Sequence, residues 1–360
     1  MKILIAGGGT AGHVNPALAL ARALDGDDVT FVGTKDGAEA RLVPAAGFDL
    51  ALIDVRGFDR ARPLSLFPVG LVAGRAIVVS GRLLGAMRPA VVVGMGGYVS
   101  LPVCIAAATR RIPIVLHEQN IVLGLANRVC KRLARAVGVS FRETAARAGR
   151  RAVYVGNPVL PEIAEADLKR EREAALVRFD LEPARKTLLA FGGSQGARTV
   201  NEAAVGLRSV WANRADVQVL HVAGRGAGHE LAADSAEGPL IYRRVEFVEH
   251  MAEAYAVADL ALCRGGATTV AELGAVGLPA IVVPYPHHRD RQQELHGRVL
   301  ERAGAALVIA DADATVERIA KEAERLLSDD ASLQEMRRAA AALGRPEAAA
   351  ELAGIVRSAA

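Results

Sequence analysis

Three times in the first 200 residues of this chain, an apolar strand runs into a glycine-rich turn and then into a helix. The turns are GGGTAG at residues 7–12, GMGGY at 94–98 and GGSQG at 192–196. A helix start leaves backbone N–H groups free to bind an anion, and glycine lets a ligand come close to the backbone. Because strands that alternate with helices form parallel sheets, the three units predict an α/β protein with anion-binding loops.

The length and the spacing of the predicted strands indicate two domains. The 360 residues exceed the roughly 150 of one average domain. About seven strands are expected before residue 160, and six more near 187–191, 218–222, 241–245, 259–263, 280–283 and 306–309. We therefore expect two doubly wound domains that face each other across a cleft, at residues 1–160 and 161–340. The charge-dense helical residues 162–178 mark the junction, and a C-terminal helix at 341–360 is expected to pack back on the first domain.

Charge excludes some functions. The net charge of +4 is 44 basic minus 40 acidic residues, and only 4% of the residues are aromatic, which does not fit a nucleic-acid binder. An anionic substrate or membrane surface fits better. Residues 58–87 are apolar and edged with arginine, as in an interfacial anchor, although an ordinary amphipathic helix packed on the sheet has the same pattern. No stretch approaches the ~20 apolar residues of a membrane helix, so a soluble or peripheral protein is expected.

The cysteines and the N-terminus indicate a reducing compartment. Cys104, Cys130 and Cys263 are widely spaced in apolar surroundings, so we expect buried thiols without a disulfide. Residues 2–6 are too short for a signal peptide and predict the first strand.

The first glycine turn resembles a dinucleotide fingerprint but lacks its acid. GTK follows the predicted second strand at residues 33–35, where a nicotinamide site needs Asp or Glu. A nicotinamide cofactor is thus disfavoured. His13 follows the last glycine at the carboxyl edge of the sheet, where ligands bind, so it is a candidate general base; the alternative is a polar residue that caps the turn.

Four polar residues, HEQN at 117–120, follow the predicted strand at residues 112–116. At the carboxyl end of a strand we expect them to line a cleft. His117 has an equally good alternative as a buried structural histidine.

Residues 263–293 combine a strand end, a glycine turn, a helix start and a polar loop. Thr268 or Thr269 can cap the helix, whose free N–H groups suit a diphosphate. Glu272 can accept both hydroxyls of a ribose, but Thr269 and Glu272 also have the spacing of a capping box. The DAD sequence at residues 311–313 is interpreted as a helix N-terminus, and the adjacent histidines at 287 and 288 lack metal-site spacing.

Taken together, the motifs make the chain similar to the MurG family over almost its whole length. The residues that carry this resemblance are GGTAGHV at 8–14, GMGGY at 94–98, HEQN at 117–120, GNPV at 156–159, GGSQGAR at 192–198 and the stretch 263–293. The resemblance implies two Rossmann-like domains of the GT-B type. It also implies that UDP-N-acetylglucosamine binds chiefly to the C-terminal domain, and a lipid-linked acceptor to the N-terminal one.

The resemblance also assigns residues to the site. His13 is implied as the base, with Glu118 as the alternative, and Tyr98, Gly96 and Gly97 lie on the acceptor side. Ser194 would bind the diphosphate, and the backbone of Val248 the uracil. The full set implied for the donor is Thr10, Ala11, Gly12, Asn120, Ser194, Val248, Ala267, Thr268, Thr269, Val270, Ala271, Glu272 and Gln293.

The implied activity is inverting transfer of N-acetylglucosamine to the 4-hydroxyl of lipid I, which gives lipid II and UDP during peptidoglycan synthesis. No tightly bound cofactor and no protein-held metal are expected. The implied location is the cytoplasmic face of the bacterial inner membrane, with anionic lipids and with cell-wall and division proteins as partners and no nucleic acid. The alternatives are another UDP-sugar enzyme of this fold, such as an epimerase or a glycolipid transferase, and a non-catalytic UDP-sugar-binding subunit.

The chain departs from the family at a few motif positions. Leu160 stands where an arginine often follows Asn-Pro-Val, so the donor contact of that arginine is not expected here. Leu101 stands where a glycine is frequent, and Asn15 replaces a common aromatic residue. The Arg264-Gly265-Gly266 turn has glycine where serine is often found. None of these positions carries a residue assigned to chemistry.

Overall fold

A computed structural model of the chain describes residues 1–54, 66–225, 238–287 and 290–360. The described residues divide into two compact units. Unit 1 comprises Met1–Leu160 and Arg345–Ala360, and unit 2 comprises Pro161–Gly344.

Unit 1 is built on a seven-stranded parallel sheet with the order β3-β2-β1-β4-β5-β6-β7. The sequence order reverses between the first and fourth strands, where Ile3 pairs with Val29 on one side and Val91 on the other. Ligands bind at the carboxyl ends of such a switch point, and the first two glycine turns lie there. The strands are β1 (Lys2–Ala6), β2 (Asp28–Gly33), β3 (Asp49–Leu52), β4 (Val91–Gly94), β5 (Ile114–Glu118), β6 (Ala136–Val139) and β7 (Ala152–Tyr154).

Among the described residues, six helices connect these strands. The sequence pattern predicts the first and the fourth helix at residues 16–24 and 102–109. Both begin five residues earlier, inside glycine turns, so His13 lies in the first turn of a helix. The helices are α1 (Ala11–Ala23), α2 (Glu39–Ala45), α3 (Leu66–Met87), α4 (Gly97–Thr109), α5 (Leu125–Cys130) and α6 (Arg142–Ala148).

Unit 2 has a six-stranded parallel sheet with the order β10-β9-β8-β11-β12-β13. Its switch point lies between the first and fourth of its strands, each of which ends in a glycine turn. The strands are β8 (Lys186–Phe191), β9 (Val217–Val222), β10 (Ile241–Val245), β11 (Leu260–Cys263), β12 (Ala280–Val282) and β13 (Ala306–Val308).

The helices of unit 2 include the predicted junction helix, which is divided into two. A short helix ends at Ala164, and the next starts at Leu168 with Asp167 as its N-cap. The helices are α7 (Pro161–Ala164), α8 (Leu168–Arg178), α9 (Arg198–Val210), α10 (Met251–Val257), α11 (Ala267–Val276), α12 (Gln292–Arg302), α13 (Val316–Leu327) and α14 (Asp330–Leu343).

The C-terminal residues 341–360 are not one helix. Gly344 and Pro346 separate α14 from α15 (Ala348–Ala359), and α15 packs against α1 in unit 1. Leu352 and Val356 of α15 belong to the same core as Ile3 and Ile5.

Side chains cover both faces of the first sheet. Ile3 and Ile5 point to α1 and α15, while Leu4 and Ala6 point to the opposite core, which includes α4. Burial on both faces explains why the strands are nearly continuous apolar runs. The prediction of two doubly wound, parallel-sheet α/β domains is confirmed. Leu160 packs against the α1–α15 core.

The three cysteines are buried and free. Of the predicted interfacial segment, residues 58–65 lie outside the described residues, and the remainder forms α3. In the described part of the chain, no helix is both long enough and apolar enough to cross a membrane.

Candidate active site

Unit 2 contains a cavity of about 520 Å³ at the carboxyl end of its sheet. The glycine turn after β8 and the N-termini of α9 and α11 line it together. Two helix N-termini supply free N–H groups and partial positive charge to one space, which suits an anion such as a diphosphate. Of the described residues predicted for the donor, Thr269 and Gln293 line this cavity.

Two glycines shape the cavity because other backbone lies against them. Gly196 has a φ of +78°, and a Cβ there would lie 2.1 Å from the carbonyl oxygen of Ala223. A Cβ on Gly265 would lie 2.2 Å from the carbonyl oxygen of Gln293. The sequence therefore needs glycine at both positions for the turns to close.

The start of α11 differs from the expectation for its threonines. Gly266 is the N-cap and makes no side-chain capping bond, so Thr268 and Thr269 lie within the first turn instead. The remaining predicted residues of this helix, Ala267, Val270 and Ala271, occupy its first two turns.

Arg264 is a cavity residue that sequence reasoning did not assign. Its Nη1 donates to the carbonyl oxygens of Val283 at 3.1 Å and Pro284 at 3.2 Å, and it pairs with Asp311. Its place directly after β11, at the carboxyl edge of the sheet, is the signal that could have identified it. These contacts hold a guanidinium at the wall of the anion cavity.

The interpretation of residues 311–313 as the start of a helix is wrong. They form a 3₁₀ turn, and Thr315 is the N-cap of α13, where its side chain accepts from Arg318 N at 3.2 Å. Asp311 instead pairs with Arg264 across the cavity wall.

Glu272 lies one turn into α11 and is only 9% exposed. Its Oε2 accepts a hydrogen bond of 2.7 Å from the Tyr255 hydroxyl. The alternative capping box would need Thr269 as the N-cap, but Gly266 is the N-cap and Thr269 lies inside the helix. Burial raises the pKa of Glu272 to about 7. Glu272 itself is not among the residues that line the cavity, although Thr269 in the same helix is.

Of the three remaining predicted donor residues of unit 2, Ser194, Val248 and Gln293, only Gln293 lines the cavity. Ser194 lies in the turn after β8, where its carbonyl oxygen accepts from Arg225 N at 3.0 Å. Val248 is buried just after β10. The Oε1 atom of Gln293 accepts from Tyr285 N at 2.9 Å, which fixes its amide at the cavity wall.

His13 is half-buried in the first turn of α1, which it shares with Ala11 and Gly12, and Thr10 is the N-cap of this helix. Its Nδ1 lies 2.9 Å from Oε1 of Gln119. A Cβ on Gly96 would lie 3.3 Å from Cε1 of the His13 ring, so the second glycine turn leaves room for the imidazole.

The expectation that residues 117–120 line a cleft is wrong for three of the four. His117, Glu118 and Gln119 are buried, and only Asn120 is partly exposed. His117 is the structural histidine of the alternative interpretation: its Nε2 lies 3.0 Å from the carbonyl oxygen of Gly156, and burial lowers its pKa to about 4.

Glu118 is surrounded by hydrogen-bond donors. It accepts from Asn120 N at 3.0 Å, Asn120 Nδ2 at 3.2 Å, Gly124 N at 2.8 Å and Asn127 Nδ2 at 2.9 Å. Four donors occupy the lone pairs that a base needs, so the geometry fits a loop anchor better than a proton acceptor.

Glu39 is a buried residue that sequence reasoning missed. Its carboxylate accepts from Gly9 N at 2.8 Å, Thr34 N at 2.8 Å and Thr34 Oγ1 at 2.9 Å. Thr34 Oγ1 in turn lies 3.3 Å from the hydroxyl of Tyr98, a predicted acceptor-side residue at the start of α4. Gly97, directly before Tyr98, packs against the backbone of Gly8: a Cβ on Gly97 would lie 2.7 Å from the carbonyl oxygen of Gly8. One carboxylate thus joins the loops after β1, β2 and β4.

Within the part of the chain that the structure describes, no three His, Cys, Asp or Glu side chains converge as a metal site would require. Of the adjacent histidines in the sequence, His287 lines the cavity, and His288 lies outside the described residues.

Comparison with known proteins agrees with this geometry. Residues 3–139 match the glycosyltransferase family 28 N-terminal domain, and residues 187–352 match the C-terminal domain of that family. The UDP-N-acetylglucosamine–N-acetylmuramyl-(pentapeptide) pyrophosphoryl-undecaprenol N-acetylglucosamine transferase of Nocardioides sp. is 42% identical, over 99% of this chain and 97% of the relative. The transferase of the same name from Halothermothrix orenii is 38% identical, over 99% of this chain and 98% of the relative.

A solved structure supports the same assignment. The crystal structure of MurG from Acinetobacter baumannii is 28% identical and has a TM-score of 0.76, and the match covers 99% of both chains. The chain therefore belongs to glycosyltransferase family 28, as a member of its MurG family of N-acetylglucosaminyltransferases.

Proposed function

We propose that this enzyme transfers N-acetylglucosamine from UDP-N-acetylglucosamine to the 4-hydroxyl of the N-acetylmuramoyl group of lipid I, and so forms lipid II and UDP. The relatives at 38% and 42% identity are named for this transfer. The observation that carries the proposal is the unit 2 cavity, which two helix N-termini and Arg264 line together.

The donor binds mainly to unit 2. Its diphosphate lies against the GGSQG turn and Ser194, and Arg264 adds a fixed positive charge. Glu272 accepts the ribose hydroxyls, the backbone near Val248 reads the uracil, and Gln293 and Asn120 bind the sugar. This division places the charged part of the donor at groups that bind anions and the hydroxyls at groups that accept hydrogen bonds.

The reaction is a single displacement with inversion. The acceptor oxygen attacks C1 of the sugar and forms the new C–O bond, while the bond from C1 to the β-phosphate oxygen breaks and its electron pair leaves with UDP. The acceptor proton passes to His13. Negative charge grows on the departing diphosphate, and the N–H groups of α9 and α11 stabilise it.

His13 is the better of the two candidate bases. It is partly exposed beside Gly96, whereas Glu118 is buried and its oxygens already accept four hydrogen bonds. A base must reach the proton that it removes, and only His13 is accessible to an acceptor on unit 1. Tyr98, Gly96 and Gly97 form the adjoining acceptor surface.

The enzyme works without a tightly bound cofactor or a protein-held metal in this proposal, because helix N-termini and Arg264 provide positive charge for the diphosphate. It binds peripherally to the cytoplasmic face of the inner membrane, where lipid I is embedded. The exposed arginines of α3 support binding to anionic lipids. Cell-wall and division proteins are its expected partners.

The decisive experiment measures transfer of radiolabelled N-acetylglucosamine from its UDP donor to a short-chain lipid I analogue, with the unmodified enzyme and His13→Ala side by side. We expect turnover by the unmodified enzyme and a loss of about 100-fold or more in the variant, at unchanged affinity for UDP. Binding of UDP without transfer contradicts the proposed reaction, and full activity of His13→Ala contradicts the role of His13.

A further inference from the structure

Three side chains of unit 1 form a continuous chain of hydrogen bonds that ends on a backbone carbonyl. Nδ1 of His13 lies 2.9 Å from Oε1 of Gln119, and Nε2 of Gln119 lies 3.0 Å from Nδ1 of His117. Nε2 of His117 lies 3.0 Å from the carbonyl oxygen of Gly156. Gln119 and His117 are 1% and 0% exposed, so bulk water does not compete for these bonds.

The carbonyl group determines the direction of every bond in this chain. A carbonyl oxygen only accepts, so His117 must carry a proton on Nε2. Burial lowers the pKa of His117 to about 4, so near neutral pH the ring is neutral and Nδ1 has a lone pair. The amide nitrogen of Gln119 must donate to that lone pair. The amide oxygen then faces His13, which donates from Nδ1.

We propose that Gln119 and His117 are positioning residues that fix the tautomer of His13, with the proton on Nδ1 and the basic lone pair on Nε2. This inference rests on the proposed function, in which His13 removes the acceptor proton. Neither positioning residue reaches the substrate, because both are buried. They act on the reaction only through the imidazole of His13.

The same arrangement serves both charge states of the base. Before the reaction, His13 donates from Nδ1 to Gln119 and holds a lone pair on Nε2. When the acceptor hydroxyl loses its proton, that proton joins Nε2, and Nδ1 still donates to the same amide oxygen. The amide therefore does not have to rotate during turnover, and the imidazole stays oriented.

The proposal predicts a tautomer that ¹⁵N NMR measures directly. The chain has 8 histidines, so selective ¹⁵N labelling gives few signals, and the His13→Ala and His117→Phe variants assign two of them. We expect His13 protonated on Nδ1 and His117 protonated on Nε2. His221 of unit 2 is an internal reference, because its Nε2 faces Oδ1 of Asn201 at 3.1 Å.

Two variants separate positioning from folding. Gln119→Met removes both side-chain bonds, while His117→Phe removes the far end of the chain and leaves the Gln119 amide free to rotate. In both variants we expect His13 to become a mixture of tautomers and kcat to fall roughly tenfold or more, with KM for UDP-N-acetylglucosamine nearly unchanged. The exposed Gln334→Met is the matched control and leaves both readouts unchanged. Unchanged amide signals from unit 1, which holds both substituted residues, together with retained UDP binding and an unchanged His221 signal from unit 2, show that the variants are folded.

The tautomer and the rate must change together. A proton on Nε2 of His13 in the unmodified protein overturns the proposal. So does a variant in which only the tautomer or only kcat changes, or in which neither does. The NMR experiment uses no substrate, so it determines the tautomer of His13 even if the unmodified enzyme does not transfer N-acetylglucosamine. Failure of that transfer would contradict the proposed function and not the tautomer.

Discussion

The hydroxyl of Tyr255 donates a hydrogen bond of 2.7 Å to Oε2 of Glu272, and both side chains are buried. Burial raises the pKa of Glu272 to about 7, and the bond from Tyr255 opposes that rise. Burial also raises the pKa of Tyr255 well above its usual value, so Tyr255 remains a donor. The proposed ribose-binding carboxyl group therefore changes its charge near neutral pH in the free enzyme.

UDP affinity should depend on this ionisation. Ribose hydroxyls donate to a carboxylate, so UDP favours the ionised form of Glu272, and we expect its Kd to fall as the pH rises from about 6 to about 8. Calorimetric titrations with UDP at several pH values, on the unmodified enzyme and on Glu272→Gln, measure this pH dependence of the Kd. In the variant, only the ionisation of the UDP phosphate changes the Kd, so the difference between the two profiles reports on Glu272. Tyr255→Phe should move the transition to higher pH. Identical pH profiles for the unmodified enzyme and Glu272→Gln contradict the assignment.

The same group should make stability depend on pH. The unfolded chain releases the Glu272 proton near pH 4.5, whereas the folded protein retains it up to about pH 7. The stability that this raised pKa contributes is complete below 4.5 and is lost as the pH rises to about 7. We therefore expect the Tm of the unmodified protein to fall relative to that of Glu272→Gln across this range, measured by calorimetry. A constant Tm difference would show that the pKa is not raised.

Arg264 should contribute strongly to UDP binding. Its contacts with Asp311 and with the carbonyl oxygens of Val283 and Pro284 orient the guanidinium at the cavity wall. Hydrogen bonds to charged groups contribute about 1.5–3 kcal/mol, so Arg264→Met should raise the Kd for UDP by tenfold or more. The control is Arg298→Met, which removes an exposed arginine of the same unit and should leave the Kd unchanged. Equal Kd values for the two variants would exclude a contact between Arg264 and the donor.

Glu39 should hold the first glycine turn in place. In Glu39→Gln one oxygen becomes an amide NH₂, which faces either the donor of Gly9 or the donors of Thr34, and an unsatisfied buried donor costs about 1–3 kcal/mol. We expect faster amide hydrogen exchange at Gly9 or at Thr34, measured by NMR, together with a lower kcat. The control is Glu347→Gln at the exposed N-cap of α15. Unchanged exchange at both amides would show that the carboxylate does not anchor the loop.

Sequence reasoning located the strands well because each is a buried apolar run that ends at a turn. The run at 241–245 coincides with β10, and the run at 2–6 coincides with β1. It placed the starts of α1 and α4 too late, because glycine lowers local helix propensity while the surrounding loops hold the helix. Local pattern thus predicts elements more reliably than their ends.

The site was predicted less completely because the residues that contact one another in it are far apart in the sequence. Glu39 accepts from Gly9, 30 residues away, and Arg264 pairs with Asp311, 47 residues away, so no motif spacing reveals either contact. The burial of His117 likewise depends on the later GNPV turn, through the carbonyl oxygen of Gly156. The glycine turns were identified because each is local in sequence.

Peripheral membrane binding should depend on the exposed face of α3. Arg75, Val78 and Arg82 lie three and four residues apart and therefore share one side of the helix, and Val78 is 55% exposed. On the opposite side, Ala76 and Leu84 are buried in unit 1. This face can present two positive charges and an apolar side chain to an anionic bilayer, where each charge contributes about 1 kcal/mol.

We expect the enzyme to co-sediment with vesicles that contain anionic lipid, and binding to weaken as salt screens the charges. Arg75→Glu/Arg82→Glu should reduce the partition coefficient by roughly tenfold or more, because two attractive charges become repulsive. The matched control, Lys169→Glu/Lys321→Glu, changes the net charge equally through exposed residues of unit 2. A similar loss in both double variants would mean that net charge alone governs binding, whereas a loss confined to the α3 variant identifies this face as the membrane contact.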